Sequence, residues 1–138
     1  MTSSLRSAVL SRSYTLSPVQ GAVPAARTWV RQMLDRWGLQ HFTERAELLV
    51  SELATNAIKH AKADGAPIRV TLTYENHTLL LEVHDRDASS LPVPQQPVID
   101  EEGGRGLFLV EAYADRWDVK TTAYGKAVRC ELIDGEPT

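Results

Sequence analysis

Residues 47–61 constrain the fold more than any other stretch, because their apolar residues recur every three or four positions. That spacing is typical of a helix with one face buried against a sheet. On another flank, Glu52, Asn56 and His60 follow one another at four-residue spacing, which stacks a carboxylate, an amide and an imidazole along one side. The sequence therefore predicts a helix that is both part of the core and able to present polar groups. Its apolar positions are Leu49, Val50, Leu53, Ala54, Ala57, Ile58 and Ala61.

The polar row on this helix has two interpretations. Charged residues on a solvated helix flank contribute little to stability, so Glu52 or His60 alone does not indicate a site. Asn56 is more informative, because asparagine competes for backbone hydrogen bonds and is a poor residue for the middle of a helix. We therefore expect the Asn56 amide to have a specific partner.

The overall composition indicates a soluble globular protein. The chain has 138 residues, 43% of them hydrophobic and 24% charged, which predicts one domain with a sizeable core. A net charge of −3 without a long basic run argues against a nucleic-acid partner. No apolar stretch is long enough to cross a bilayer and no signal peptide is evident, so we predict no membrane partner and a cytoplasmic protein. The single cysteine, Cys130, predicts a packed strand thiol and no internal disulfide.

The first half of the chain is predicted to contain a tail, a strand and two helices. Residues 1–11 indicate a flexible tail, and the alternation in residues 13–17 predicts a short strand. A helical stripe runs over residues 23–37, and Gly38 closes it as a left-handed cap would. Thr43 is predicted to cap the next helix.

The second half predicts two hairpins and a third helix. Alternation over residues 68–74 and 79–83 indicates an antiparallel hairpin with one buried face. A third helix is predicted from Leu107 to Tyr113, and two closing strands are predicted around the turn at residues 124–126. The element order indicates an α+β, two-layer sandwich, with a mixed, mostly antiparallel sheet covered on one face by three helices.

Two further segments carry polar groups that a packed core does not explain. Asp85 and Asp87 end a predicted strand, and a Pro-rich loop over residues 88–103 follows them. The glycines of residues 103–106 come directly before a predicted helix, where exposed amides and the helix dipole can hold phosphate groups. A Gly-rich turn is also a common plain connector, so this feature alone leaves both interpretations open.

Taken together, these segments resemble a known family. The order of ELATNAIKH, a strand ending in DRD, a Pro-rich loop and GGRGL resembles the N, G1 and G2 boxes of the GHKL (Bergerat-fold) ATP-binding superfamily of gyrase, heat-shock chaperones, mismatch-repair ATPases and sensor histidine kinases. RTWVRQMLDRWGL, ADRW and GKAVRCEL look most like bacterial anti-sigma factor serine/threonine kinases and their stand-alone ATP-binding relatives. The resemblance covers residues from about 14 to 132.

The resemblance implies a role for each of these residues. Asn56 would hold the Mg²⁺ that bridges the phosphates of ATP, and Glu52 would be the general base. Asp85 would accept a hydrogen bond from the adenine amino group. Residues 12–138 would form a single ATP-binding kinase-like domain, with residues 88–103 as its lid. The residues implied to offer backbone amides to the phosphates are Gly104, Arg105, Gly106 and Leu107.

The resemblance also implies a function. The chain would be a Mg-ATP-dependent serine/threonine protein kinase that regulates transcription by phosphorylating a small antagonist of an anti-sigma factor. Its partners would be that antagonist, a sigma factor or both, and a homodimer is compatible with the family. The alternative is a non-catalytic ATP-binding regulator that sequesters a sigma factor or another protein. A plain α+β domain without a nucleotide site is the third interpretation.

Three residues depart from the pattern of the family. Asp87 stands where the wider superfamily usually has glycine, and Ala127 stands where many relatives have threonine. Arg129 replaces a tryptophan that is often seen in the most similar relatives. The first two departures would be expected to weaken the contacts with adenine.

Overall fold

The computed structural model describes residues 9–60, 65–86, 104–122 and 125–135. These ranges contain five strands and three α-helices, in the order strand, helix, helix, two strands, helix, two strands that the sequence predicts. The strands are β1 (Leu10–Leu16), β2 (Ile68–Glu75), β3 (Thr78–Asp85), β4 (Arg116–Thr122) and β5 (Gly125–Ile133), and the helices are α1 (Val23–Arg36), α2 (Thr43–Lys59) and α3 (Gly104–Tyr113).

The five strands form one sheet in the order β1-β2-β3-β5-β4. Every neighbouring pair of strands in this sheet is antiparallel. The α+β prediction is confirmed. The predicted mixed sheet allowed a parallel pair, and the described strands contain none. Asn76 and His77 join β2 to β3 with φ angles of 52° and 64°, which suit a tight hairpin turn with the twist of the strands.

The core lies between the helices and one face of the sheet. Alternate residues of β3 point into it, because side chains in a strand project to opposite faces in turn. Helix α2 packs against α1, α3, β2 and β3, which makes it the central element of the helical layer. Five residues of the predicted apolar stripe are buried, Ile58 is partly buried, and Ala61 lies outside the described residues. The five buried residues are Leu49, Val50, Leu53, Ala54 and Ala57.

Three predicted boundaries are wrong. Strand β1 begins at Leu10, so residues 10 and 11, which the sequence analysis assigned to the tail, belong to the sheet. Helix α2 is entered from a 3-10 turn at Gln40–Phe42, and Phe42 occupies the N-cap without a side-chain hydrogen bond, so Thr43 is the first helical residue and not the cap. Helix α3 begins at Gly104, three residues before the predicted start.

Cys130 is fully buried in β5, as the sequence predicts for a packed strand thiol. Burial, with a smaller contribution from the charge of Asp118, raises the pKa of the thiol to about 12. The thiolate is therefore scarce at neutral pH, and Cys130 is a structural residue. Among the helices of the described ranges, none combines the length and the apolar character that crossing a membrane requires.

Candidate functional site

The start of α2 is held at one end of the molecule by two side chains. His41 precedes α2, and its Nε2 lies 2.6 Å from Oδ1 of Asp134, directly after β5. Arg45, in the first turns of α2, donates through Nη1 to the carbonyl oxygen of Tyr113 at 3.4 Å and to Oδ2 of Asp115 at 3.5 Å. The start of α2 therefore lies beside the end of β5 and beside the C-terminal end of α3.

The rest of α2 runs toward the opposite end of the sheet. The end of β5 at Ile133 pairs with Thr78, so β3 leads from this end of the sheet to Asp85 at the other. At 3.3 Å per residue β3 covers about 23 Å, and at 1.5 Å per residue α2 covers about 24 Å. Because α2 packs against β3, its C-terminal half, which contains Asn56, extends toward the end of the sheet that holds Asp85.

The N-terminus of α3 extends in the same direction. Helix α3 packs on α2, and its C-terminal residue Tyr113 lies beside Arg45. The rise of an α-helix puts Gly104 about 14 Å from Tyr113 along α3, and Asn56 about 17 Å from Arg45 along α2. We therefore expect the first turn of α3 to lie level with Asn56.

The predicted polar row runs from half-buried to exposed positions. Glu52 and Asn56 are half-buried on α2, whereas His60 is exposed. His60 follows the last residue of the helix, and its N–H donates to the Asn56 carbonyl oxygen at 3.1 Å. Glu52 and Asn56 can thus reach a ligand beside α2, while the His60 backbone closes the helix.

Residues 104–106 of the glycine cluster lie in the first turn of α3 and not in a loop ahead of it. Gly104, Arg105, Gly106 and Leu107 are helical from the first of them onward. The first four N–H groups of an α-helix have no acceptor within the helix and lie at the positive end of its dipole. These four residues therefore retain the amides that the resemblance assigns to phosphate. Gly103, Asp87 and the predicted lid at residues 88–103 lie outside the described residues.

Asp85 forms an ion pair with Lys126, a residue that the sequence analysis placed in a turn. The Lys126 ammonium donates to Oδ1 of Asp85 at 3.1 Å and to Oδ2 at 2.9 Å. The two side chains are 6% and 5% exposed, and their residues are direct partners on β3 and β5. Lys126 shares its strand face with Val128, Cys130 and Leu132, so extending the alternation of β5 by one step would have predicted an inward-facing lysine.

Gly125, next to Lys126, has a close backbone neighbour. A Cβ at this position would overlap the carbonyl oxygen of Asp85 and the Cα of Arg86, and the φ of 155° also favours glycine. The chain after Asp85 therefore passes directly over Gly125, and this contact fixes the position of Asp85 relative to β5.

The Asp85–Lys126 pair lines a cavity of about 390 Å³ at this end of the sheet, a size typical of small-ligand sites. A ligand in this cavity is within reach of Asp85. The residues that line the cavity include neither Glu52 nor Asn56. The other lining residues are Thr15, Pro67, Arg69, His84, Arg86 and Thr122.

The structure shows where two of the residues that depart from the family pattern lie and what they contact. Ala127 pairs with His84, so it lies on the strand face opposite Asp85 and cannot supply or remove a hydroxyl beside that carboxylate. Arg129 donates to both carboxylate oxygens of Asp118 on β4, at 2.8 and 2.9 Å, and lies 3.9 Å from Glu82 on β3. The Arg129 guanidinium therefore links three neighbouring strands on the face that the helices leave uncovered.

The donor groups on α2 fit a magnesium ion that is held mainly by its nucleotide. Among the described residues, no group of three His, Cys, Asp or Glu side chains could bind a metal ion by itself. Mg²⁺ in phosphoryl-transfer sites takes one or two protein oxygens and completes its octahedron with phosphate and water. The half-buried Asn56 suits the role of such a protein ligand, because its amide oxygen is a hard, neutral donor.

Comparison with known proteins agrees with this architecture. The family model of the histidine kinase-like ATPase domain matches residues 16–132. An uncharacterized protein of Streptomyces coelicolor is 37% identical over 91 residues, which cover 64% of this chain and 84% of that protein.

One solved structure shows the same fold. A crystal structure of the RsbU and RsbW domains of a Mycobacterium tuberculosis protein aligns with a TM-score of 0.70 and 20% identity, covering 94% of this chain and 34% of that one. This chain therefore spans about a third of the solved chain. The histidine kinase domain of a blue-light activated kinase from Erythrobacter litoralis aligns with a TM-score of 0.49 and 21% identity, over 83% of this chain and 60% of that one.

Proposed function

Because this chain belongs to the histidine kinase-like ATPase domain family of the GHKL superfamily, we propose that it binds Mg-ATP and phosphorylates a small protein on serine or threonine. The partner is an antagonist of an anti-sigma factor, and the reaction regulates transcription. The motifs that resemble anti-sigma factor kinases support this class of partner.

The feature that supports the proposal is the direction in which three segments of the chain run. The Asp85 end of β3, the C-terminal half of α2 and the N-terminal turn of α3 extend toward the same end of the molecule. An acidic side chain, a neutral oxygen ligand and a set of helix amides are the groups that a nucleoside triphosphate and its metal require.

In this site, the roles follow the chemistry of each group. Asp85 accepts a hydrogen bond from the base, Asn56 holds Mg²⁺, and residues 104–107 donate their amides to the phosphates. Bound Mg²⁺ neutralises charge on the triphosphate oxygens.

Glu52 acts as general base for phosphoryl transfer. It lies one turn before Asn56 on α2, so the two side chains are on the same flank of the helix. The Glu52 carboxylate takes the proton of the substrate hydroxyl as the hydroxyl oxygen bonds to the γ-phosphorus. The bond from that phosphorus to the β–γ bridging oxygen breaks, and ADP leaves with the electron pair.

A transfer assay with radiolabelled ATP and small antagonist proteins from the same genome tests this function. Glu52→Gln keeps the size of the side chain and removes the base, so transfer is expected to fall by about 10²- to 10⁴-fold while ATP binding is retained. Glu44→Gln is the matched control, because Glu44 is an exposed glutamate in the first turn of the same helix.

The other outcomes separate the alternatives. ATP binding without transfer to any antagonist would favour the non-catalytic regulator that sequesters a protein partner. A chain that does not bind Mg-ATP would contradict both functions.

A further inference from the structure

The cavity at the Asp85 end of the sheet is lined by more positive than negative charge. Its lining contains the guanidinium groups of Arg69 and Arg86, the ammonium of Lys126 and the carboxylate of Asp85. Asp85 and Lys126 pair with each other, so together they add no net charge. Three positive charges and one negative charge give this lining a net charge of +2 with His84 neutral, whereas the whole chain has a net charge of −3. A concave surface with an excess of one sign of charge attracts ligands of the opposite sign.

The two arginines supply that excess positive charge. Both residues are exposed, and in the part of the chain that the structure describes their side chains form no salt bridge and no hydrogen bond. Glu82, a carboxylate on the same face as Arg69, contacts His84 at 3.3 Å and Arg129 at 3.9 Å and does not line the cavity. Both guanidinium groups can therefore donate to an anion, and a guanidinium matches the oxygens of phosphate two at a time.

Arg69 lies on the face of the sheet that the helices leave uncovered. Its neighbours in β2, Ile68 and Val70, are buried in the core, so the Arg69 side chain projects to the other face. Thr15 on β1 and His84 on β3 are the direct partners of Arg69, so these three side chains form one row across the sheet. No described residue of α2 or α3 lines the cavity. The cavity is therefore separate from the groups assigned to the metal and the phosphates of ATP.

We propose that this cavity binds a small organic ligand through a phosphate monoester group. Arg69 and Arg86 donate to the phosphate oxygens, and Thr15 and His84 place a hydroxyl and an imidazole beside them. A phosphate monoester carries about −1.5 to −2 charge at neutral pH, which balances the net charge of the lining better than a single carboxylate does. The volume of about 390 Å³ is larger than a phosphate ion needs and is typical of small-molecule sites. The inference does not depend on the proposed kinase activity.

Backbone amide NMR of the full chain, titrated with glycerol 3-phosphate, inorganic phosphate or glycerol, tests the proposal. Glycerol 3-phosphate is expected to cause saturable shifts at Arg69, His84 and Arg86, and glycerol is expected to cause none. Saturable shifts with inorganic phosphate as well would show that the phosphate group is recognised by itself, and tighter binding of the monoester would show that the rest of the ligand contributes. Shifts that are absent, or that rise with concentration without saturating, as charge screening would produce, would overturn the inference.

The same titration with a saturating, non-hydrolysable Mg-ATP analogue separates this cavity from the proposed nucleotide site. The analogue would occupy the amides of residues 104–107, so the shifts in the cavity are expected to persist. Loss of those shifts, or shifts confined to residues 104–107, would overturn the inference and leave the proposed function intact. A chain that binds glycerol 3-phosphate in the cavity but not the analogue would contradict the proposed function alone.

Arginine variants identify the groups that bind the phosphate. Arg69→Gln and Arg86→Gln each remove charged hydrogen bonds and are expected to weaken binding of glycerol 3-phosphate by about tenfold or more. Arg116→Gln is the matched control, because Arg116 is an exposed arginine at the other end of the same sheet face and outside the cavity. Unchanged affinity in both cavity variants, or an equal loss in the control, would overturn the inference.

Discussion

Asp85 and Lys126 are the only charged residues buried within the described ranges, and they pair with each other across two antiparallel strands. Removing the charge of one residue leaves the charge of the other in the interior, where this partner no longer balances it. We therefore expect Lys126→Met to lower the free energy of unfolding by about 3–5 kcal/mol, measured by urea denaturation at neutral pH.

A double variant separates the charge effect from packing. Replacing both residues by apolar ones, Asp85→Leu with Lys126→Met, removes the buried charges together and should recover much of the lost stability. If the double variant were as unstable as the sum of its single variants, the two side chains would not be coupled.

Mg-ATP should stabilise the folded chain through mass action. At one hundred times its dissociation constant, the expected gain in the free energy of unfolding is about 2.7 kcal/mol. Asp85→Asn is expected to abolish most of this gain, and Asn56→Ala should remove its dependence on magnesium. Thermal unfolding with and without Mg²⁺ measures both effects. An unchanged melting temperature of the wild type at saturating Mg-ATP would count against the site.

The pKa of Tyr74 predicts a loss of stability at alkaline pH. Burial, the hydrogen bond to Asp134 at 2.7 Å and the charge of that carboxylate raise the pKa of Tyr74 from about 10 to about 12. The folded state therefore holds the phenolic proton more tightly than the unfolded state. This contribution to stability is fully present below pH 10 and is lost as the pH rises toward 12.

Tyr74→Phe isolates this contribution. Its free energy of unfolding should fall less steeply over that pH window than that of the wild type, as measured by urea denaturation at each pH. The buried thiol of Cys130 also titrates near pH 12, but it contributes equally to both proteins. Parallel pH profiles for the two proteins would show that Tyr74 is not linked to folding.

Gly125→Ala should be more destabilising than an ordinary glycine substitution. The added methyl group overlaps the backbone of Asp85 and Arg86, and backbone atoms cannot rotate away as a side chain can. We expect a loss of about 1–3 kcal/mol or more in the free energy of unfolding, together with weaker ATP binding. Gly21→Ala is the control, because a Cβ there has no neighbour within 4 Å. Equal losses in the two variants would contradict the steric argument.

Hydrophobic periodicity predicts the fold of this chain well, since each of the main elements buries one face. The spacing of Leu49 and Leu53 in α2, and of Leu79 and Leu81 in β3, is sufficient to assign both elements and their buried sides. Boundaries are less well predicted, because they depend on contacts that are not local. Leu10, for example, joins β1 by pairing with Tyr74 of β2, and no local signal at Leu10 indicates that partner.

Only part of the candidate site could be predicted from the sequence. The resemblance to the GHKL superfamily is confirmed at the level of the family, whereas the roles of Glu52, Asn56 and Asp85 stay predictions. Lys126 was missed because a lysine after a glycine is typical of a turn, and only the register of β5 against β3 shows that it faces inward. A partner across a sheet depends on the pairing of distant segments, which a single sequence does not display.

The contact between Gly125 and the chain at Asp85 and Arg86 limits two adjacent positions for different physical reasons. At residue 125 the neighbour is main chain, so any larger residue must displace a strand. At residue 126 the limit is electrostatic, because the neighbour is the buried carboxylate of Asp85, which a replacement must balance or be exchanged together with. Residue 126 can therefore change most readily together with residue 85, whereas the glycine at 125 preserves the backbone beside the cavity whichever pair of side chains is present.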